Sequence, residues 1–131
     1  MISQNLYGEL RDTLDAPNTK QYSDSFFTLT FPSGEEIQCM HRLLNHDVYD
    51  SLIYSGKINF LRHNLQQRIQ DVFKNVKAHN EYIIKIGEIL IRDKTSTQLY
   101  DCYKQMENIE TKLLKIIPGA IEKLAKDTKI S

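Results

Sequence analysis

The sequence has no tryptophan, and only two cysteines, three prolines and five glycines among its 131 residues. Cys39 and Cys102 stand far apart and form no recurring framework. A disulfide-stapled scaffold is therefore excluded, and free thiols in a reducing compartment are expected. No apolar run reaches the roughly 18 residues of a membrane span. Met1–Ala16 has neither the basic start nor the apolar stretch of a secretory leader. These features predict a cytosolic chain with no membrane partner. Also missing are the phosphate-binding loop, the dinucleotide fingerprint, the nucleophile elbow and the H-E-x-x-H zinc motif, so no enzyme and no cofactor are expected. With 26% charged and 40% apolar residues, wholesale disorder is excluded too.

What the sequence does contain is helical periodicity. Ile58, Leu61, Leu65, Ile69, Val72, Val76, Ile83, Ile86 and Leu90 follow one another at steps of three or four, broken once by a step of seven across His79. That spacing predicts one uninterrupted helix from Ile58 to Arg92, roughly 50 Å long and buried along a narrow stripe. Asn59 is a candidate cap. Asp93–Ser96 breaks the pattern, and Thr95-Ser96-Thr97-Gln98 has the form of a capping box. Leu99, Cys102, Met106, Ile109, Leu113 and Ile116 then make a second seam. A link this short predicts antiparallel neighbours closing into a helical hairpin. Pro118-Gly119 should kink or break the second helix. Ile121 and Leu124 would add a last turn or two, with Lys126–Ser131 frayed.

Ahead of this hairpin, Leu6, Leu10 and Leu14 predict an amphipathic helix over 3–15, with Ser3 as its cap and Pro17 as its stop. Residues 16–25 have loop composition. Phe27, Leu29 and Phe31 alternate with threonines, Pro32-Ser33-Gly34 reverses the chain, and Ile37, Cys39 and His41 return along one side. This predicts a β-hairpin. A short helix carrying Val48, Leu52 and Ile53 follows, capped by Asn45 or Asp47 and ended by Gly56. The expected fold is a single α+β domain, mainly α. Residues 1–56 hold a helix, the β-hairpin and a short helix; residues 57–131 hold a long antiparallel, coiled-coil-like helical hairpin.

The net charge of zero hides an asymmetry. Residues 1–56 carry three basic and eight acidic side chains, a net of −5, and residues 57–131 carry fourteen and nine, a net of +5. The basic half predicts either a polyanionic partner or attraction to the acidic half of another copy. Acidic residues interrupt the lysines at i, i+3 and i+4, which favours intrahelical pairing over nucleic-acid binding; a nucleic-acid accessory factor is the alternative reading. Cys39, His41, His46 and Asp47 are the densest group of metal-ligating types, but they lack the tight pairs of zinc sites, so no metal is expected. His79 sits in the seam between Val76 and Ile83 and reads as a polar residue that fixes register. Phe73, Ile84, Ile89, Ile91, Leu114 and Ile117 lie off the two stripes and imply a second apolar surface, covered by the N-terminal third or by a partner, most simply a second copy.

FFTLTFPSGEEIQCMHRL, at 26–43, resembles the opening of the baseplate-hub assembly proteins of T4-like tailed bacteriophages, through Leu29, Phe31, Pro32, Ser33, Gly34, Glu35 and Ile37. The resemblance covers about 18 of 131 residues. It implies an accessory role in tail or baseplate assembly, in host cytoplasm or virion, without enzymatic activity. The reading as a whole is of a non-enzymatic assembly or adaptor protein acting through its helical seam and hairpin edge.

Overall fold

A computed structural model describes residues 2–15, 25–30, 36–41, 43–93 and 97–128. Two long helices dominate it: α3 over His63–Arg92 and α4 over Thr97–Thr128, each about 45–50 Å long at 1.5 Å per residue. They pack on each other as the expected helical hairpin. His79 of α3 faces Glu110 of α4, which sets the antiparallel register. On α3 the buried positions include Leu65, Ile69, Val72, Val76, Ile83 and Ile86, and on α4 Leu99, Cys102, Met106 and Leu113, as their spacing predicts. Among the described residues no helix is long and apolar enough to cross a membrane.

The start of the long helix is corrected. Ile58 lies on a separate 3-10 turn, Lys57–Phe60, and Leu61 is extended at φ −85°, ψ 153°. The corner is held by the Leu61 amide donating to the Ile58 carbonyl and by the Gln66 side chain donating to the Leu61 carbonyl at 2.7 Å. It folds Ile58 and Leu61 inward as a unit that a straight helix could not bring to the same place. Arg62, not Asn59, precedes the first turn of α3. Pro118 does not break α4. Proline removes the donor to the Leu114 carbonyl, but Leu114 is exposed, so water can satisfy that carbonyl and the helix continues to bury Ala120 and Leu124.

Helix α1, Ile2–Asp15, lays Leu6 and Leu10 fully buried against α4 and the short helix α2, Asp47–Ser55. α2 buries Tyr49 and Leu52, and the Tyr49 ring stacks on Phe73 of α3 at 4.5 Å between centroids, 9° between planes. Gly56 ends α2 as expected, at φ 75° with its amide on the Ile53 carbonyl. No neighbour lies within 4 Å of an added Cβ. Gly56→Ala should therefore cost only the left-handed backbone penalty, about 1 kcal/mol; a lowered urea midpoint at unchanged slope is the measurement.

The α+β class is corrected to mainly α. Among the described residues, strands β1, Ser25–Thr30, and β2, Glu36–His41, pair with each other as a two-stranded antiparallel sheet, Ser25 opposite His41 and Thr30 opposite Glu36. Among the described residues four α-helices and a 3-10 turn build the framework. α1 already includes Ile2, so Ser3 lies inside the helix and not at its cap, and α4 runs through Thr128, so Lys126–Thr128 are helical, against the expected fraying. The Pro17 stop, the reversal at 32–34, the first residues of the capping box from Thr95 and residues 129–131 lie outside the described residues.

The core falls into two parts. The larger joins α1, α2, the 3-10 turn, the first half of α3 and the second half of α4 into a head. The smaller contains Ile83, Ile86, Ile89, Leu99, Cys102 and Met106, from α3 and α4 alone, and forms a two-helix arm. His79 and Asn80 lie between them along α3.

Candidate interaction surface

The first turn of α2 shows how the head is tied together. The first amides of a helix have no partner within it and need other acceptors. The Asp47 amide donates to Asn45 Oδ1 at 2.9 Å, and the helix's own bonding starts with the Asp50 amide on the His46 carbonyl. The Val48 and Tyr49 amides donate to the two carboxylate oxygens of Glu9 on α1, each at 2.9 Å. Glu9 is thus a cap supplied by another helix; of the two expected caps, Asn45 does accept the Asp47 amide, while His46 holds the cap position without a side-chain bond to a backbone amide. Burial pushes the Glu9 carboxyl above its ordinary range, and the two amides pull it back only in part.

On the outer side of α2, Asp50 takes two partners: His46 through Nδ1, and Lys77 of α3 through Nζ at 2.8 Å. Burial acts upward on the Asp50 carboxyl, but hydrogen bonds from Lys77 and His46 outweigh it and hold it below its ordinary range. Lys77 also sits over the Tyr49 ring at 5.6 Å. The cluster is a clasp between α2 and α3. It does not gather the expected ligand candidates: His46 turns to Asp50, Asp47 is exposed, and the side chains of Cys39 and His41 are outside the described set. Among the described residues no three metal-ligating side chains come together.

Between head and arm, Asn80 clamps the segment entering α2. Its Oδ1 accepts the Leu44 amide and its Nδ2 donates to the Leu44 carbonyl, both at 2.8 Å, so one side chain pairs with a backbone residue as a strand would. His79, 1% exposed, lies beside it with Nε2 at 3.6 Å from Glu110 Oε2. The register role expected of His79 thus falls at the boundary between the two cores.

The six off-stripe residues divide evenly. Phe73, Ile89 and Ile117 are buried within the chain and are corrected as interaction residues. Phe73 is covered by Tyr49. Ile117 replaces Ile116 in the seam because a straight helix turns every 3.6 residues and drifts off a 3.5-residue pattern within two heptads. Ile84, Ile91 and Leu114 are exposed; Ile84 and Ile91, seven apart, share the outer face of the arm. Sequence reasoning missed a second exposed group, Ile53, Tyr54 and Phe60, around the α2 to 3-10 turn. Of the expected intrahelical ion pairs, Lys104–Glu107 forms at 3.7 Å, while Asp71, Glu81 and Glu88 show none among the described residues.

These features define a mainly α protein built on a helical hairpin, with a clasped head and a two-helix arm. In sequence, the chain is 24% identical over 58 residues to a Bacillus subtilis (strain 168) protein named uncharacterized protein YurQ, a match covering 44% of this chain and 47% of that one. The chain thus spans about half the length of the curated relative it matches. No family model matches the chain. No solved structure matches it. None of these comparisons connects it with baseplate-hub assembly proteins.

Proposed function

We propose that the protein is a non-enzymatic assembly or adaptor protein that works by pairing with a second copy through the arm. The observation that carries this is Ile84, 54% exposed, and Ile91, 88% exposed, aligned on the outer face of a hairpin that already fills its inner seam. A two-helix arm has one buried face per helix, so further apolar side chains on its back have nowhere to go within the chain. Truncating both, as Ile84→Ser with Ile91→Ser, should lower the light-scattering mass toward that of a monomer and leave the helical circular dichroism intact. A wild-type chain that stays monomeric at high micromolar concentration removes this reading.

A further inference from the structure

The head carries a second unpartnered patch, and its chemistry is the counterpart of the arm's. Tyr54 is 97% and Phe60 81% exposed at the turn joining α2 to α3. Residues 51–70 contain Lys57, Arg62 and Arg68 and no carboxylate. In the 3-10 turn, residues three apart eclipse, so Lys57 and Phe60 share the outward side while Ile58 and Leu61 share the inward one. The turn is aromatic and basic.

On the outer face of the arm the exposed isoleucines are bordered by glutamates. Glu81, Ile84, Glu88 and Ile91, at i, i+3, i+7 and i+10, form one exposed stripe. Lys85 and Arg92 follow Glu81 and Glu88 at i+4, about 40° round the helix from those glutamates and about 100° from the two isoleucines, and Lys77, toward the head, is held by Asp50. Among the described residues, Lys57, Arg62, Glu81 and Glu88 have no ion-pair partner. The two patches cannot meet within one chain, because 22 to 29 residues of α3 separate Arg62 from Ile84 and Ile91, about 33–44 Å along a rigid helix.

We infer that the turn of one copy docks on the arm stripe of the other, and reciprocally, in a two-fold dimer with the α3 helices side by side and antiparallel. Tyr54 and Phe60 lie against Ile84 and Ile91, and Lys57 and Arg62 against Glu81 and Glu88. Such a pairing is closed: the same two patches are used once by each copy, and none is left to propagate a filament. A nucleic acid would also meet the basic turn, but it would repel the acidic stripe and leave its isoleucines uncovered.

The inference rests on the self-association proposed above, and the test separates the two. A turn variant (Lys57→Glu with Arg62→Glu) and an arm variant (Glu81→Lys with Glu88→Lys) are compared by sedimentation equilibrium, alone and mixed in equal amounts. All four positions are exposed, and circular dichroism checks the fold of each variant. Each variant alone should dimerise at least about tenfold more weakly than wild type. The mixture should recover wild-type affinity, because negative turns then meet positive arms and positive turns meet negative arms. A wild-type dimer unaffected by either variant, or variants that weaken it without recovery on mixing, overturns this pairing and leaves self-association standing. A monomeric wild type overturns both, as would self-association seen only with added DNA or RNA.

Discussion

Replacing Asn80 by alanine should destabilise the protein by about 2–5 kcal/mol, one of the two largest losses expected from any polar substitution in it. The reason is the asymmetry of hydrogen-bond energetics. A made bond contributes modestly, but a buried backbone group left without a partner loses about 1–3 kcal/mol. Asn80 serves the amide and the carbonyl of Leu44 together, and Leu44 is itself buried. Alanine offers neither bond.

Asn80→Asp sharpens the test. The carboxylate keeps an acceptor for the Leu44 amide, but it sets a second oxygen against the Leu44 carbonyl and places a charge at a position 9% exposed. Only the protonated acid can donate to that carbonyl. The folded state therefore binds the proton more tightly than the unfolded state does, and stability should fall as pH rises through the window between the ordinary carboxyl value and the raised folded one. Urea titrations of both variants across that window are the measurement. An alanine variant within about 0.5 kcal/mol of wild type, at the level of ordinary surface changes, would show that the clamp is not what holds the α2 entry to α3.

The hairpin was legible in the sequence and the clamps were not, for one physical reason. Seam residues such as Leu65, Ile69, Leu99 and Met106 announce themselves through neighbours three and four positions away, because the helix repeats on that scale. Glu9 and Asn80 act on partners 39–40 and 36 positions away. Glu9 looks like any polar residue beside a leucine stripe, and Asn80 like a polar neighbour of His79. No local pattern separates a buried acceptor from a solvated one. Apolar letters carry a similar ambiguity. Phe73 and Phe60 are both phenylalanines near the long helix, yet one is fully buried and the other 81% exposed, because α2 covers the first and turns away before the second. The acid-free stretch over 51–70 was a visible signal for the exposed turn. The alternation over 26–41 was equally visible, and it marks the two paired strands.

Removing the Glu9 carboxylate should cost about 2–4 kcal/mol and should change how stability responds to acid. Glu9→Ala strips the acceptors from two amides of the α2 first turn, one of them on the buried Tyr49. Hydrogen bonds to charged groups contribute about 1.5–3 kcal/mol each, reduced here by the cost of keeping a carboxylate at 3% exposure. Glu9→Gln retains one acceptor but turns an amide donor toward the second backbone amide, so it too should be destabilising, by somewhat less. The pH response follows from two carboxyls shifted in opposite directions. Burial raises Glu9, so the folded state binds its proton more tightly, and the stability it contributes is present at low pH and lost as pH rises through the folded value. The Asp50 carboxyl is lowered, so its contribution is present above its ordinary value and lost as pH falls through the folded one. Wild type therefore shows the sum of a falling and a rising component, and Glu9→Gln removes only the falling one. The difference between wild type and Glu9→Gln should shrink steadily as pH rises from about the ordinary glutamate value through the folded value. If that difference stays flat across the window, the Glu9 carboxyl is not raised by its burial, and the two amides hold the charged form as firmly as water does.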